Sequence, residues 1–243
     1  PMHIVRAPDG EWNLARAFRS DGAATPGAPI ELPPEGIRVR GGTVELRFEI
    51  EGGEPARYAL RNVNGDLVQA DGRLHVRDCS ADLFGGEINL DLAARRLSPF
   101  EYELRVTLDG MQIARAVEGT ALADRQVHGR LAGMLSLKNS AEETGGRAIG
   151  SGFFRVREGN LWQFPAMASL LNVLSLGIPG EAGIQEAEGQ FAVTSTAFRF
   201  SELSLSGSPA GVVGGGWILH DGSQMQLFLY PKPEGGILPQ IPI

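Results

Sequence analysis

The sequence predicts a mainly β protein of antiparallel strands with two or three short helices. Three observations predict it. Apolar residues alternate with polar ones along most of the 243 residues, in segments of roughly 8 to 12 residues, the spacing of an antiparallel all-β chain. The 33 glycines and 15 prolines are spread along the chain rather than clustered, which suits many turns and bulges. Helical spacing occurs only in a few short stretches. A hydrophobic content of 42% allows a sizeable core, and the length suits one large all-β domain or two small ones.

In chain order, MHIVR (residues 2–6) is expected as a short strand, and WNLARAFRS, from Trp12, as a short helix. Residues 20–36 are a Gly/Pro/Ala-rich loop. From Ile37 the period becomes two: Ile37 and Val39 share a face, then Val44, Leu46, Phe48 and Ile50 do. The Gly41–Gly42 pair between them reads as a hairpin turn. RYALRNVNGDLVQ runs to a turn at Asp71–Gly72, and Leu74, Val76, Ala81 and Leu83 follow. Gly85–Gly86 precedes EINLDLAARRL, with Ile88, Leu90 and Leu92 on one side. YELRVTL leads to a turn at Asp109–Gly110, and MQIARAVEGTAL has the spacing of a short helix through Met111, Ala114 and Ala121.

The second half restarts the alternation. In VHGRLAGMLSLKN, Leu131, Gly133, Leu135 and Leu137 share a face; the polar loop SAEETGG and the strand GSGFFRVREGNLW come next. The stretch GNLWQFPAMASLLNVLSLGIPG, Gly159 to Gly180, predicts a helix over about 165–176. Met167, Leu170, Leu171 and Leu174 fall at i, i+3, i+4 and i+7. Pro165 suits the first turn, and Gly177 and Pro179 supply the stop. The opposite face holds only Ser169, Asn172 and Ser175. Such a helix reaches roughly 18 Å, too short for a bilayer core. No Lys or Arg lies between Arg157 and Arg199, so it lacks the basic face of a membrane-surface helix. It either packs on its own sheet or caps an apolar groove. Beyond it, Phe191 and Val193, Phe198 and Phe200, Leu203 and Leu205, and then Met225, Leu227 and Leu229 alternate with polar or small residues. Asp221–Gly222 signals a hairpin.

A net charge of −7 and a pI near 5.2 disfavour nucleic acid and charge-driven docking on anionic lipid headgroups. Cys79 is the single cysteine, so no internal disulfide forms, which fits cytosol and periplasm alike. No signal peptide or spanning stretch is visible. The start at Pro1 and the Pro-rich end ILPQIPI read as a piece cut from a longer protein. The four histidines lack metal-ligand spacing, and no hydrolase, zinc-protease or P-loop pattern occurs. Gly214–Gly215–Gly216 lacks a following Lys and reads as a bulge or close backbone approach. Asn62, Asn64 and Asp66 lack the spacing and terminal Glu of a calcium loop. Nothing positions a partner for Asp78 and Asp82. The tryptophans Trp12, Trp162 and Trp217 are too scattered to suggest a sugar-cleaving cleft. The expectation is a protein that is not an enzyme, with no catalytic residue, metal or cofactor.

Strands with one apolar face must pack a second sheet or curl around something. Several motifs together carry a resemblance. They are Asp9, Gly10, Trp12 and Asn13 near the start, the Leu83–Gly86 turn (LFGG), GxGxxRVxxGNLxxxPxxxxLLxxL across 150–174, and FxFSELSLSG followed by GGGWILHDG. The chain resembles the AsmA-like family of bacterial envelope proteins, most of all their C-terminal region. The resemblance implies an elongated, curled antiparallel sheet with a hydrophobic inner trough, as in bridge-like lipid-transfer proteins. It implies a periplasmic protein, anchored in the inner membrane through parts absent here, that moves phospholipid or serves outer-membrane biogenesis. On that reading, residues 1–124 and 125–243 are two sections of one continuous groove. Phospholipid or another acyl lipid is the partner, and the family supplies no catalytic residues. The candidate groove residues are Met167, Leu170, Leu171, Leu174, Phe191, Val193, Phe198, Phe200, Leu203 and Leu205. The alternative is a non-catalytic β scaffold of the cell envelope.

Overall fold

The computed structural model describes residues 2–6, 33–48, 56–95, 101–118, 127–140, 144, 147–160, 184–207, 211–220 and 224–232. They form one open sheet of twelve strands whose spatial order is the chain order. The strands are β1 (Met2–Arg6), β2 (Ile37–Phe48), β3 (Ala56–Ala70), β4 (Arg73–Leu83), β5 (Gly86–Arg95), β6 (Glu101–Gln112), β7 (Arg130–Asn139), β8 (Ile149–Arg157), β9 (Ile184–Val193), β10 (Ala197–Gly207), β11 (Gly211–Leu219) and β12 (Met225–Lys232). β1 pairs parallel with β2; every later neighbour is antiparallel. At a spacing of about 4.8 Å per strand the sheet is roughly 50 Å across. The ladder between β6 and β7 joins the two halves of the chain. Among the described residues α1 (Ile113–Ala116) is a single helical turn, and Thr144 is also helical.

Two hairpins close through two-residue turns. Ala70 pairs with Arg73 around Asp71 (φ 51°) and Gly72 (φ 70°); Leu83 pairs with Gly86 around Phe84 (φ 51°) and Gly85 (φ 74°). Both turns hold two successive left-handed residues, the type I′ geometry that matches strand twist. The Asp71–Gly72 expectation holds. The expected turns at Gly41–Gly42 and Asp109–Gly110 do not. β2 and β6 run straight through both pairs, with Gly41 (φ 60°) and Gly110 (φ 64°) at irregularities in register. The physical reason is a shift of phase. Apolar positions pass from Ile37 and Val39 to Val44, and from Leu104, Val106 and Leu108 to Met111. One extra residue in a bulge keeps both sets on the same face without reversing the chain.

Of the helix expected from Met111 to Leu122, the described residues 111–118 form only α1, because Met111 and Gln112 remain in β6, where the Gln112 N–H donates to the Phe84 carbonyl at 2.9 Å; residues 119–122 lie outside the described residues. The strand expected from Val127 begins at Arg130. Gly214–Gly216 lies inside β11, where a Cβ on Gly215 would stand 2.6 Å from the Phe200 carbonyl oxygen, as expected of a close approach. The expected helices at WNLARAFRS and 165–176 lie outside the described residues. Among the described residues no helix is long and apolar enough to cross a membrane.

Candidate functional site

Register sorts the side chains of the sheet into two faces. Ile88, Leu90 and Leu92 of β5 oppose Leu108, Val106 and Leu104 of β6; the last two oppose Leu135 and Leu137 of β7. From there the apolar row crosses Gly152 and Phe154 of β8, Phe191 and Val193 of β9, and Phe198 and Phe200 of β10. It continues through Leu203 and Leu205, after the register shift that follows Phe200, to Val212 and Ile218 of β11. One face is therefore apolar across most of the sheet. The other carries Glu87, Asn89 and Asp91 of β5, Arg105 and Thr107 of β6, and Arg155 and Glu188 of β8 and β9. Ion pairs there, such as Arg155–Glu188 at 3.1 Å and Lys138–Glu103 at 3.9 Å, are exposed and contribute about 0–1 kcal/mol each.

The apolar face has two zones. At the end where β6 gives way to α1, Ile113 and Val127 pack with Val156, Ala187, Leu203, Leu205 and Val212. Leu205 is 2% exposed, Leu203 5% and Val212 3%, so this end is sealed. Short backbone bonds tie the seal: the Ile113 N–H donates to Gly129 O at 3.0 Å, and the Asn160 N–H to His128 O at 3.1 Å.

The middle of the face is different. Most of its leucines on β5 to β7 are only half-buried, as are Phe154, Phe191, Phe198 and Phe200. Among the described residues no large side chain is fully buried. The phenylalanines use glycines opposite them. A Cβ on Gly152 would fall 2.6 Å from Phe191 Cζ, and one on Gly189 2.8 Å from Phe154 Cε1, so each ring lies over a glycine on the next strand. Phe154 and Phe200 meet edge-on at 6.5 Å, Phe191 and Phe198 at 6.0 Å, the geometry that aromatic quadrupoles favour.

Of the candidate groove residues, the structure brings Phe191, Phe198 and Phe200 into one half-open aromatic cluster. Val193, 7% exposed, lies at the end of β9, and Leu203 and Leu205 belong to the sealed end. Met167, Leu170, Leu171 and Leu174 lie outside the described residues. Sequence reading missed Ile113, Val127 and Val212 as parts of the seal. The shift of phase at Gly110, which returns Met111 and Ile113 to the apolar side, was the signal available.

The polar side bears hollows of its own. One of about 810 Å³ lies between Phe153 and Trp217, over Gln190, Ala192 and Arg199. Phe153 is 46% exposed, and Trp217 Nε1 donates to Gln226 at 3.1 Å. No cluster of three or more His, Cys, Asp or Glu able to hold a metal occurs among the described residues. Asp66 is held by Arg38 at 2.8 Å, and Asn64 bonds the Gly41 N–H, so the NVNGD segment serves the sheet. The His220 ring meets Phe198 at a tilt of 55°, centroids 4.9 Å apart. Cys79 is half-buried opposite Leu90; burial pushes its thiol up, and Asp91 adds to this. No family model, curated protein or solved structure matches the chain.

Proposed function

We propose that this protein holds the acyl chains of phospholipid, or of another acyl lipid, on the apolar face of its sheet. It acts as a non-enzymatic segment of an envelope lipid-transfer or outer-membrane-biogenesis protein. One observation carries the reading: apolar residues line one face across β5 to β11, yet outside the sealed end most of their side chains are only half-buried. Half-exposed Leu and Phe rows gain by meeting hydrocarbon, at about 25 cal/mol per Å² of apolar surface removed from water. A methylene that is fully covered contributes about 0.8 kcal/mol, so a long chain lying on an open face gains several kcal/mol. The compartment follows from the family resemblance alone: the periplasm, with anchoring in the inner membrane.

Vesicles of phosphatidylethanolamine and phosphatidylglycerol carrying a fluorescent phospholipid provide the test. The purified protein should take up the labelled lipid, and organic extraction of the protein as isolated should recover phospholipid. Phe200→Asp, on the apolar face, should abolish uptake; Phe153→Asp, on the opposite face, should not. A folded protein with no extractable lipid and no uptake ends the proposal. A scaffold role, through sealing contacts like those around Leu205, would then remain.

A further inference from the structure

At the end of the sheet away from α1, strands β7, β8 and β9 border a hollow of about 890 Å³. Its lining holds two cations, Lys138 and Arg147, and the hydroxyls of Ser136, Ser151 and Ser195; the Thr194 hydroxyl, also there, donates to the Ala197 carbonyl at 2.9 Å. Among the described residues it holds no carboxylate, in a chain whose net charge is −7. Thr144, after β7, is tied locally. The Thr144 hydroxyl donates to Ser140 O at 2.7 Å, the Ser140 N–H donates to Thr144 Oγ1 at 2.9 Å, and the Arg147 N–H donates to Thr144 O at 3.3 Å. Lys138 also reaches Glu103 of β6 at 3.9 Å, with both side chains over a third exposed. That pair is weak.

Two cations surrounded by hydroxyl donors suit an oxyanion. Lysine offers three N–H donors, arginine five and each hydroxyl one, more than the two oxygens of a carboxylate can use. A phosphoryl group supplies more acceptor oxygens and is bound strongly by charge-assisted hydrogen bonds. The hollow is far larger than a bare anion needs, which leaves room for the alcohol part of an ester. The same hollow touches Leu137 and Val193, which oppose each other through Gly150 in the apolar row. The cationic pocket and the apolar face therefore meet at one rim.

We propose that this hollow binds the phosphoryl group of a phosphate ester through Lys138 and Arg147. If the acyl-carrying function argued above is right, on which this form of the inference rests, the ester is the headgroup of the bound phospholipid. Its chains pass over the rim at Leu137 and Val193.

The test uses the full chain with three probes: phosphatidylglycerol in mixed micelles, diacylglycerol in the same micelles, and water-soluble glycerol 3-phosphate. Phosphatidylglycerol should bind roughly tenfold or more tightly than diacylglycerol. Glycerol 3-phosphate should shift the amide signals of Ser151 and Thr194. Lys138→Gln with Arg147→Gln, both at partly or fully exposed positions, should remove the preference and the shifts while diacylglycerol binding stays unchanged. Lys232→Gln, at the other end of the sheet, should change nothing. If both lipids bind equally and glycerol 3-phosphate shifts nothing, the headgroup site is overturned and the acyl reading stands. A preference that survives the double substitution also overturns it. If neither lipid binds but glycerol 3-phosphate does, in a manner that needs Lys138 and Arg147, the pocket serves a free phosphate ester and the acyl reading falls. If no probe binds, both fall.

Discussion

The same deletion at two points on the apolar face, Leu205→Ala and Leu104→Ala, should have unequal costs. Leu205 is 2% exposed and packs among Ala187, Leu203 and Val212, whose backbones are held by ladders on both sides. Removing its three outer carbons forfeits about 2.4 kcal/mol of transfer free energy at 0.8 kcal/mol per carbon. Neighbours pinned in strands close poorly over the gap, so the cavity brings the loss to about 3 kcal/mol. Leu104 lies mid-face on β6 and is half-buried, so its loss should be about 1 kcal/mol. Urea unfolding followed by tryptophan fluorescence reads the difference as a shift of midpoint at unchanged slope. Equal losses at the two sites would refute the reasoning. The face would then be equally sealed along its length, and no open zone would remain for a lipid to cover.

Gly152→Ala should destabilise by about 1–3 kcal/mol, because its Cβ meets both Phe191 Cζ at 2.6 Å and the Met134 carbonyl oxygen at 2.5 Å. Adding Phe191→Leu should recover only part of the loss, since the backbone oxygen cannot move out of its ladder; full recovery in thermal unfolding would show that the ring alone matters. Asp66 titrates below the ordinary carboxylate value because Arg38 donates a hydrogen bond to it, which outweighs desolvation, and the nearby positive charges of Arg38 and Arg40 add to the lowering. A carboxylate depressed in the folded state stabilises above its unfolded value, here about 3.8, and that contribution disappears as pH falls through the lower folded value. Asp66→Asn should therefore flatten a small part of the acid limb of stability below about pH 4 and leave neutral stability little changed; an unaltered acid limb would refute it.

Much of the strand pattern was legible in the chain. Leu131, Gly133, Leu135 and Leu137 recur at every second position and do lie on one face in β7. The Asp71–Gly72 turn was legible because aspartate followed by glycine readily supplies two left-handed residues in succession; the LFGG turn was marked by its glycines, although it holds Phe84 at φ 51°, which a bulky residue rarely adopts. The aromatic cluster was legible in part: Phe191, Phe198 and Phe200 were singled out by alternation. Phe154 was not, because its role depends on Gly189 facing it from the next strand. The pocket at Lys138 and Arg147 was not legible, since its lining comes from the connection after β7, the start of β8 and the turn after β9.

Alternation by itself determined that this chain forms strands with one greasy side, because period two is a local property of extended backbone. It could not decide between a turn and a bulge at Gly41 and Gly110, since either absorbs a shift of phase and the choice depends on the partner strand. Nor could it decide which part of the greasy side is sealed. Ile113 and Val127 meet Leu205 and Val212 only after the intervening strands have stacked in order. Burial is a property of neighbours distant in sequence, so it exists only once the sheet has formed.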